Sequence, residues 1–207
     1  MTTQHEVSFK IPRRSHSYKE VFQFRISLSG ITPQIWRRIQ VPTTFTFYDL
    51  HVAIQDAMGW EDRHLHVFEI GVSQMMRIEC PHAEPEPWEN VQYWTTEVPL
   101  KTHFKRVGTS VAYRYDFGDD WLHLIELEGI AKPEDGELYP KCLNGERACP
   151  PEDCGGPGGY ADCVEALKKN GNKERRAWLG EWRPDAFSVK KVKFGSPRAR
   201  FLKGFGE

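Results

Sequence analysis

The first regular pattern along the chain is an alternation of apolar and polar residues that begins at Val21. Apolar side chains recur at every second position: Phe22, Phe24, Ile26 and Leu28. This period predicts a strand with one buried face. After a turn at residues 30–33, the run QIWRRIQV predicts a second strand that ends at Pro42, and the short connection indicates that the two strands pair antiparallel.

The period changes to that of a helix in TFTFYDLHVAIQDAMGW, residues 44–60. Apolar residues follow at helical spacing: Phe47, Leu50, Ile54, Ala57 and Met58. Thr46 can cap the first turn, with Asp49 three residues later as the second half of a capping box. Gly59 is the residue type at which a helix commonly ends. The chain is therefore expected to pass from a hairpin into one amphipathic helix.

Strand patterns return after this helix. HLHVFEIGV predicts a strand with Phe68 and Ile70 inward, and residues 76–79 predict a further short strand. Residues 80–100 are rich in proline, acid and tryptophan and indicate a long irregular excursion. SVAYRYDF and WLHLIELEGI then predict a hairpin around the turn residues GDD.

Helical patterns follow near the C-terminus. GYADCVEALKKN predicts an amphipathic helix that ends near Asn170 and Gly171, and KERRAWLGEW predicts a shorter one. The order of elements indicates an α+β fold with a mainly antiparallel sheet, one helix after the first hairpin and helices near the C-terminus. The sequence contains no internal repeat and no GxGxxG, P-loop, GxSxG or HExxH motif.

Composition narrows the class of protein. The 207 residues carry a net charge of -1 and are 39% hydrophobic, which fits one domain with a substantial core. No run of about 18 apolar residues occurs and the polar start lacks the apolar centre of a signal peptide, so we expect a cytoplasmic protein without membrane association. In that reducing compartment, five cysteines favour free thiols or metal binding over disulfides.

Four stretches taken together carry a family resemblance: ISLSGITPQIWRRIQVP, LHVAIQDAMGWEDRHLHVFEIG, YRYDFGDDWLHLIELE and YPKCLNGERACPPEDCGGPGGY. In this order they resemble the plasmid pRiA4b open-reading-frame-three-like family, from about Tyr18 to about Phe187. The resemblance implies an association with plasmids and transposons, but it implies no activity. We expect a loose segment at residues 1–19, a single domain at 20–189 and a basic tail at 190–207.

The segment CLNGERACPPEDCGGPGGY, residues 142–160, is the most unusual stretch. The spacing of Cys149 and Cys154 falls within the range of zinc ligands, whereas the interval from Cys142 is longer than in a usual knuckle. His123, on the strand that leads towards the loop, is the candidate fourth ligand of a structural zinc. The alternatives are reduced cysteines packed as small apolar residues and a redox or disulfide pair. Cys163 lies on the apolar stripe of the following helix and is expected in the core.

The turn in YDFGDDWLH suggests a second kind of chemistry. Asp116, Asp119 and His123 are close along the chain, and carboxylates beside an imidazole can bind a divalent cation or act in acid–base catalysis. A tight hairpin demands the same residue types, so a purely structural role is the alternative. Asp116 precedes the turn and is the acid that this alternative explains least.

His64 and His66 form a third candidate set. They are two residues apart, so on a strand they would share one face, and His51 on the preceding helix can join them. This spacing is compatible with a metal, although paired histidines in strands also serve as packing or surface residues.

Aromatic and basic residues raise the question of nucleic-acid binding. Trp36, Arg37 and Arg38 place an aromatic ring beside two guanidinium groups, which can stack on a base and contact phosphate. The basic tail can add phosphate contacts. The alternative is that these arginines simply occupy the solvent-exposed face of a strand. A chain with a net charge near zero is also not typical of strong nucleic-acid binding. Trp121, beside the acidic turn, completes the candidate binding residues.

The absence of a complete catalytic motif favours a binding or adaptor module over an enzyme, with a protein or a nucleic acid as partner. A metal-dependent hydrolase or nuclease that uses the Asp and His side chains is the alternative, and it requires those groups to meet in one cleft. The third possibility is a small protein stabilised by zinc without a further ligand.

Overall fold

The computed structural model of the chain describes residues 18–71, 76–81 and 93–205. Most of the expected loose segment at 1–19 lies outside these residues. Residues 82–92 of the expected irregular excursion also lie outside them.

The described part contains one sheet of eight strands. They are β1 (Val21–Leu28), β2 (Trp36–Pro42), β3 (His66–Ile70), β4 (Met76–Glu79), β5 (Tyr93–Trp94), β6 (Ser110–Tyr115), β7 (Trp121–Ala131) and β8 (Lys141–Glu146). Their spatial order is β5-β4-β3-β6-β7-β1-β2-β8. Neighbouring strands run antiparallel throughout, apart from the parallel pair β4 and β5.

Helices accompany this sheet: α1 (Phe47–Met58), α2 (Gly156–Ala166), α3 (Lys173–Leu179) and α4 (Pro197–Phe205). The α+β fold with a mainly antiparallel sheet is the one that the sequence pattern predicts. The predicted hairpin between β6 and β7 and the predicted short strand β4 are also confirmed.

The alternation in β1 selects the covered face of the sheet. Its four apolar side chains, from Phe22 to Leu28, are all buried. Helix α1 lies over the same face, where the ring of Phe47 contacts that of Phe68 with centroids 4.9 Å apart. Burial of apolar surface between helix and sheet is the main source of stability of such a layer.

Helix α1 begins and ends where its sequence predicts. The Thr46 hydroxyl accepts a hydrogen bond from the Asp49 N–H, and the Asp49 carboxylate accepts one from the Thr46 N–H, which is a complete capping box. Gly59 ends the helix at a φ of 96°, a left-handed conformation that glycine adopts without a Cβ clash. The chain then leaves α1 in a fixed direction, into the loop that carries His64.

The C-terminal segment is folded, which the expectation of a basic tail did not include. Helix α4 returns to α1, where the ring of Phe201 stands edge-on to that of Tyr48 with centroids 5.6 Å apart. Arg200 also pairs with Asp56 of α1 at 2.5 Å. Within the described ranges, no helix has the length and apolar character needed to cross a membrane.

Candidate metal centre

Three side chains from different loops meet at one end of the sheet. One ligand atom from each of His64, Asp116 and Asp153 lies within 4.8 Å of the other two. His64 Nε2 is 2.9 Å from Asp153 Oδ1 and 3.6 Å from Asp116 Oδ2. Among the described His, Cys, Asp and Glu residues, this is the group whose donor atoms are close enough to share a metal ion.

Asp116 is fixed by the turn that follows β6. It is buried, and its backbone has a φ of 55°, a left-handed conformation in which Asp is one of the better tolerated residues. Its Oδ1 accepts hydrogen bonds from the N–H groups of Gly118 at 3.0 Å and Asp119 at 3.3 Å. The second oxygen, Oδ2, faces His64. The turn therefore orients the carboxylate and leaves one oxygen for a ligand.

His64 is carried by the loop between α1 and β3. The loop is tied to the sheet because the Arg63 N–H donates to the Tyr115 hydroxyl at 3.0 Å and the Asp116 N–H donates to the Leu65 carbonyl at 3.0 Å. The His64 Nε2 atom is buried and has no hydrogen-bond partner of acceptable geometry, although Asp153 is close. A nitrogen that lies between two carboxylates is positioned either to form ion pairs with them or to bind a metal ion together with them.

The third ligand comes from the cysteine-containing loop. Its acids, rather than its thiols, face the centre: Glu152 Oε1 accepts from the Glu61 N–H at 2.7 Å and from the Tyr115 hydroxyl at 3.1 Å. The Trp60 indole N–H donates to the Pro150 carbonyl at 3.0 Å. These bonds hold Asp153 opposite His64. Partial burial also raises the pKa of the Glu152 carboxyl.

Asp119, the remaining acid of the predicted catalytic set, has a structural role. Asp119 Oδ2 accepts a hydrogen bond from the Gly155 N–H at 3.1 Å, so it ties the β6–β7 turn to the cysteine loop. Neither Asp119 nor His123 belongs to the group that contains Asp116. The predicted trio of Asp116, Asp119 and His123 is therefore not brought together; Asp116 meets His64 instead.

The predicted zinc ligands do not form a group with metal-ligand spacing in the described structure. Cys142, Cys149 and Cys154 are buried as thiols within the main apolar core. His123 lies on the core face of β7, and its Nδ1 is directed to the Trp121 carbonyl at 3.0 Å. His123 directs Nδ1 at backbone carbonyls and Cys154 interacts with Cys163, so these side chains have partners other than a shared metal ion. Zinc binding by these four residues remains a prediction without geometric support.

The two histidines of HLH do not share a face. Strand β3 begins at His66, so His64 lies in the preceding loop and the period-2 argument does not reach it. His66 is buried under α1 and stacks on His51, with ring centroids 3.5 Å apart and planes at 11°. Burial lowers the pKa of His66 well below its usual value, with a smaller contribution from His51. His66 is therefore a neutral core residue.

The aromatic and basic residues predicted to bind nucleic acid do not form one surface. Arg37 is only 1% exposed; its guanidinium donates to the Ala57, Trp36 and Glu146 carbonyls and lies over the ring of Phe187. The assignment of Arg37 to a nucleic-acid surface is therefore wrong, because the side chain is buried and its guanidinium is held by backbone carbonyls and the ring of Phe187.

Of the other predicted binding residues, Arg38 and Trp36 lie on the open face of the sheet, and Trp121 lies in the core. Arg38 forms a two-pronged pair with Glu128, with N–O distances of 2.5 and 2.8 Å, so its charge is already compensated. Trp36 is partly exposed and has Arg25 over its ring at 4.2 Å. Trp121 is 1% exposed and is a core residue, which removes it as a ligand contact.

A groove adjoins the candidate metal centre. It has a volume of about 730 Å³ and runs between the end of α1, the cysteine loop and the C-terminal segment. Aromatic side chains line it: Trp60, Trp178, Trp182 and Phe187. Glu152 and Asp153 lie on its wall, so the groove and the metal centre share a border. Neither Asp153 nor Trp178 was predicted from the sequence; the rigid PPED sequence was the available signal for Asp153.

These features define an α+β domain whose loops gather a polar site at one end of a mainly antiparallel sheet. The chain belongs to the family described as "Plasmid pRiA4b ORF-3-like protein", whose sequence model matches residues 20–191. The family resemblance predicted from the sequence is therefore confirmed.

Two relatives extend this assignment. The chain is 36% identical over 163 residues to a protein of Sinorhizobium fredii described as "Uncharacterized protein y4hQ", a match that covers 78% of this chain and 80% of the relative. It also resembles the crystal structure of a protein of unknown function, MM3350 from Methanosarcina mazei Go1. That structure superposes with a TM-score of 0.76 at 37% identity, over 86% of this chain and 100% of the other. These relatives support the fold and family, and their descriptions name no activity.

Proposed function

We propose that the protein is a binding module organised by a divalent cation that His64, Asp116 and Asp153 hold. The observation that carries this proposal is the convergence of an imidazole nitrogen and two carboxylate oxygens within 4.8 Å. The turn supports it, because Asp116 has one oxygen occupied by backbone N–H groups and the other directed at His64. Hydrogen bonds that orient ligands in this way are typical of protein metal sites.

The donor set indicates which cations to test. Carboxylate oxygens suit Mg²⁺ and Mn²⁺, whereas imidazole suits Zn²⁺ and other first-row metals. A mixed set of one His and two Asp side chains therefore favours Mn²⁺ or Zn²⁺. Three protein ligands leave coordination positions for water or a bound molecule.

The test is a titration of metal-free protein with Mn²⁺ and Zn²⁺, followed by calorimetry or, for Mn²⁺, by electron paramagnetic resonance. Asp116→Asn retains a residue that tolerates the left-handed backbone at this position, so we expect it to fold. Loss of a ligand should weaken cation binding by about tenfold or more in Asp116→Asn and His64→Gln.

The matched control is Asp120→Asn. Asp120 lies in the same turn with the same φ of 55°, but its carboxylate pairs with Arg114 and lies outside the ligand group. The control should bind the cation as the wild type does. Equal affinity in Asp116→Asn, or equal loss in Asp120→Asn, would refute the proposed centre.

A metal-dependent hydrolase is the second candidate, and Glu152 favours it. This carboxyl adjoins Asp153 and lies on the groove wall, where it can accept a proton from a metal-bound water. The test is hydrolysis of an activated phosphodiester in the presence of Mn²⁺. Turnover that is lost in Glu152→Gln while cation affinity is retained would support the enzyme; absence of turnover in cation-loaded protein would leave the binding module.

Structural zinc at the cysteine loop is tested separately. Elemental analysis of untagged protein gives the zinc content, and Cys149→Ser assigns it. Zinc that disappears in Cys149→Ser would establish a thiolate site, whereas zinc that disappears only in His64→Gln belongs to the centre proposed above. The cytoplasmic location expected from the sequence is part of this proposal and agrees with the buried thiols of Cys142, Cys149, Cys154 and Cys163.

A further inference from the structure

We propose that the groove beside the candidate metal centre binds a nucleoside phosphate, with the base on Trp178 and the phosphate directed towards the cation. This inference rests on the proposed cation site. It adds the class of ligand, which neither the fold nor the relatives indicate.

Trp178 is the first reason for this assignment. Its side chain is 54% exposed although it lines a concave groove. Within the described part of the chain, its indole makes no hydrogen bond or ring contact. An exposed indole inside a groove offers a flat apolar face to a ligand, and stacking on such a face is how proteins bind nucleobases without sequence preference.

The other aromatic residues of the groove form a fixed frame. The Trp182 indole N–H donates to the Cys149 carbonyl at 2.8 Å, and Trp60 is held by its bond to Pro150. The ring of Phe187 is covered by the Arg37 guanidinium at 3.9 Å. These rings are already engaged by the protein, which leaves Trp178 as the platform. A rigid frame reduces the ordering cost of binding.

Charge links the groove to the cation. The lining residues include four carboxylates and three basic groups, an excess of one negative charge that opposes a phosphate. The centre also contains the carboxylate of Asp116, so a divalent cation held there would neutralise an excess of two negative charges and remove the repulsion of a phosphate. Lys191 and Arg63, which pairs with Glu61, also line the groove and can contribute to phosphate binding. Phosphate binding is therefore expected only when the cation is present.

The size of the groove fits a small ligand. A volume of about 730 Å³ lies within the range of about 300–1,000 Å³ found for small-molecule sites. A free phosphate would use the cation but not the indole, and an uncharged aromatic ligand would use the indole but not the cation. A nucleoside phosphate uses both, and Trp178 lines the same groove as the candidate ligand Asp153.

The experiment measures AMP binding by calorimetry in the presence of saturating Mn²⁺. Adenosine and ribose 5-phosphate serve as partial ligands. AMP should bind more tightly than either one, and removal of Mn²⁺ with EDTA should abolish AMP binding. Trp178→Ala should weaken AMP binding by about fivefold or more while it leaves ribose 5-phosphate unchanged.

Trp36→Ala is the matched control, because Trp36 is a partly exposed indole on the open face of the sheet, outside the groove. It should leave AMP binding unchanged. If Trp36→Ala weakens AMP binding and Trp178→Ala does not, the inference is wrong. Equal affinities of AMP and ribose 5-phosphate would also overturn it, because the base would then contribute nothing.

Mn²⁺ affinity, measured separately in each variant, distinguishes the two proposals. Normal Mn²⁺ binding without AMP binding overturns the ligand class and leaves the cation site intact. Failure to bind either metal ion overturns both. A short single-stranded oligonucleotide tests the source of the nucleotide: tighter binding than AMP that depends on Trp178 supports a strand terminus, and weaker binding supports a free nucleotide.

Discussion

The ring of His123 stands edge-on to that of Trp60, with centroids 5.2 Å apart and planes at 89°. His123 is fully buried, and this burial lowers its pKa to about 4. The titratable group that faces it is Tyr113, whose pKa burial raises, so it too stays neutral. His123 is thus a neutral aromatic residue of the core, and its contacts explain its position without a metal.

This relationship predicts a loss of stability in acid. In the unfolded chain, His123 binds a proton as pH falls through 6.5, whereas in the folded protein it does so only near pH 4. The unfolded state therefore binds more protons between these values, and His123 alone should cost about 3 kcal/mol of stability as pH falls through that window. Chemical denaturation at a series of pH values measures this dependence.

His123→Phe keeps the edge-on ring but cannot bind a proton, so its stability should fall less steeply between pH 6.5 and 4. His103→Phe is the control, because His103 is partly exposed and should contribute less to the slope. Parallel pH profiles for His123→Phe and the wild type would contradict the assignment of a neutral buried imidazole.

Replacement of the buried Arg37 should be costly even when the charge is kept. Lysine cannot supply the three hydrogen bonds to the Ala57, Trp36 and Glu146 carbonyls or the flat contact with Phe187. We expect Arg37→Lys to lower the free energy of unfolding by about 2–4 kcal/mol.

The control for this change is Arg25→Lys, on the exposed side of β1, which should shift the free energy of unfolding by less than about 1 kcal/mol. Urea denaturation followed by tryptophan fluorescence gives both values. Equal effects of the two substitutions would show that the buried guanidinium contributes nothing specific.

Helix α4 should depend on one aromatic anchor. Phe201 is 4% exposed and packs on Tyr48 and Val52, apart from the main core. Phe201→Ala should destabilise the protein by about 3 kcal/mol, or release α4 alone if the helix is not coupled to the core. The neighbouring residue Leu202 is 52% exposed, and Leu202→Ala should change stability by about 0.5 kcal/mol or less.

Hydrogen exchange separates the two outcomes for Phe201→Ala, because release of α4 removes protection from residues 197–205 alone. Retention of wild-type protection and stability in Phe201→Ala would contradict the anchoring role.

Two adjacent glycines at the start of α2 should respond in opposite ways to alanine. A Cβ on Gly159 would lie 1.8 Å from the Cys154 carbonyl oxygen, whereas a Cβ on Gly158 meets no atom within 4 Å. Gly159→Ala should therefore displace the loop that carries Asp153, with a loss of about 2 kcal/mol or more. Gly158→Ala should be neutral or stabilising by up to about 1 kcal/mol, because alanine favours a helix.

Mn²⁺ affinity and thermal unfolding, measured in both glycine variants, check this prediction. If Gly159→Ala retains both values, the close packing between α2 and the loop does not position the candidate ligand.

The sequence predicted those elements whose limits are set by residues close together along the chain. The capping box of Thr46 and Asp49 and the stop at Gly59 are encoded within a few residues, and α1 has those limits. The same alternation that buries Ile35 and Ile39 also places Arg37 inward, so its burial follows from the period of the strand although the residue is charged.

The candidate site was only partly predictable, because its members are distant along the chain. His64 precedes β3, Asp116 ends β6 and Asp153 lies in the cysteine loop; only the strand order brings them together. Residue types pointed to His64 and Asp116, but no local pattern connects either one to Asp153. Helix α4 was not predicted for a related reason: it has few apolar residues, and their role becomes evident only from their packing against α1.

Because the thiols of the cysteine loop are buried, the rate at which they are modified reports how often the loop opens. Burial raises the pKa of the Cys149 and Cys142 thiols, and that of Cys154 to about 12, so little thiolate is present near neutral pH. An alkylating reagent can modify these sulfurs only when the surrounding segment opens. The labelling rate of each thiol, resolved by mass spectrometry, therefore reports how often the loop that carries Asp153 leaves its place, and an ion bound there should slow that rate.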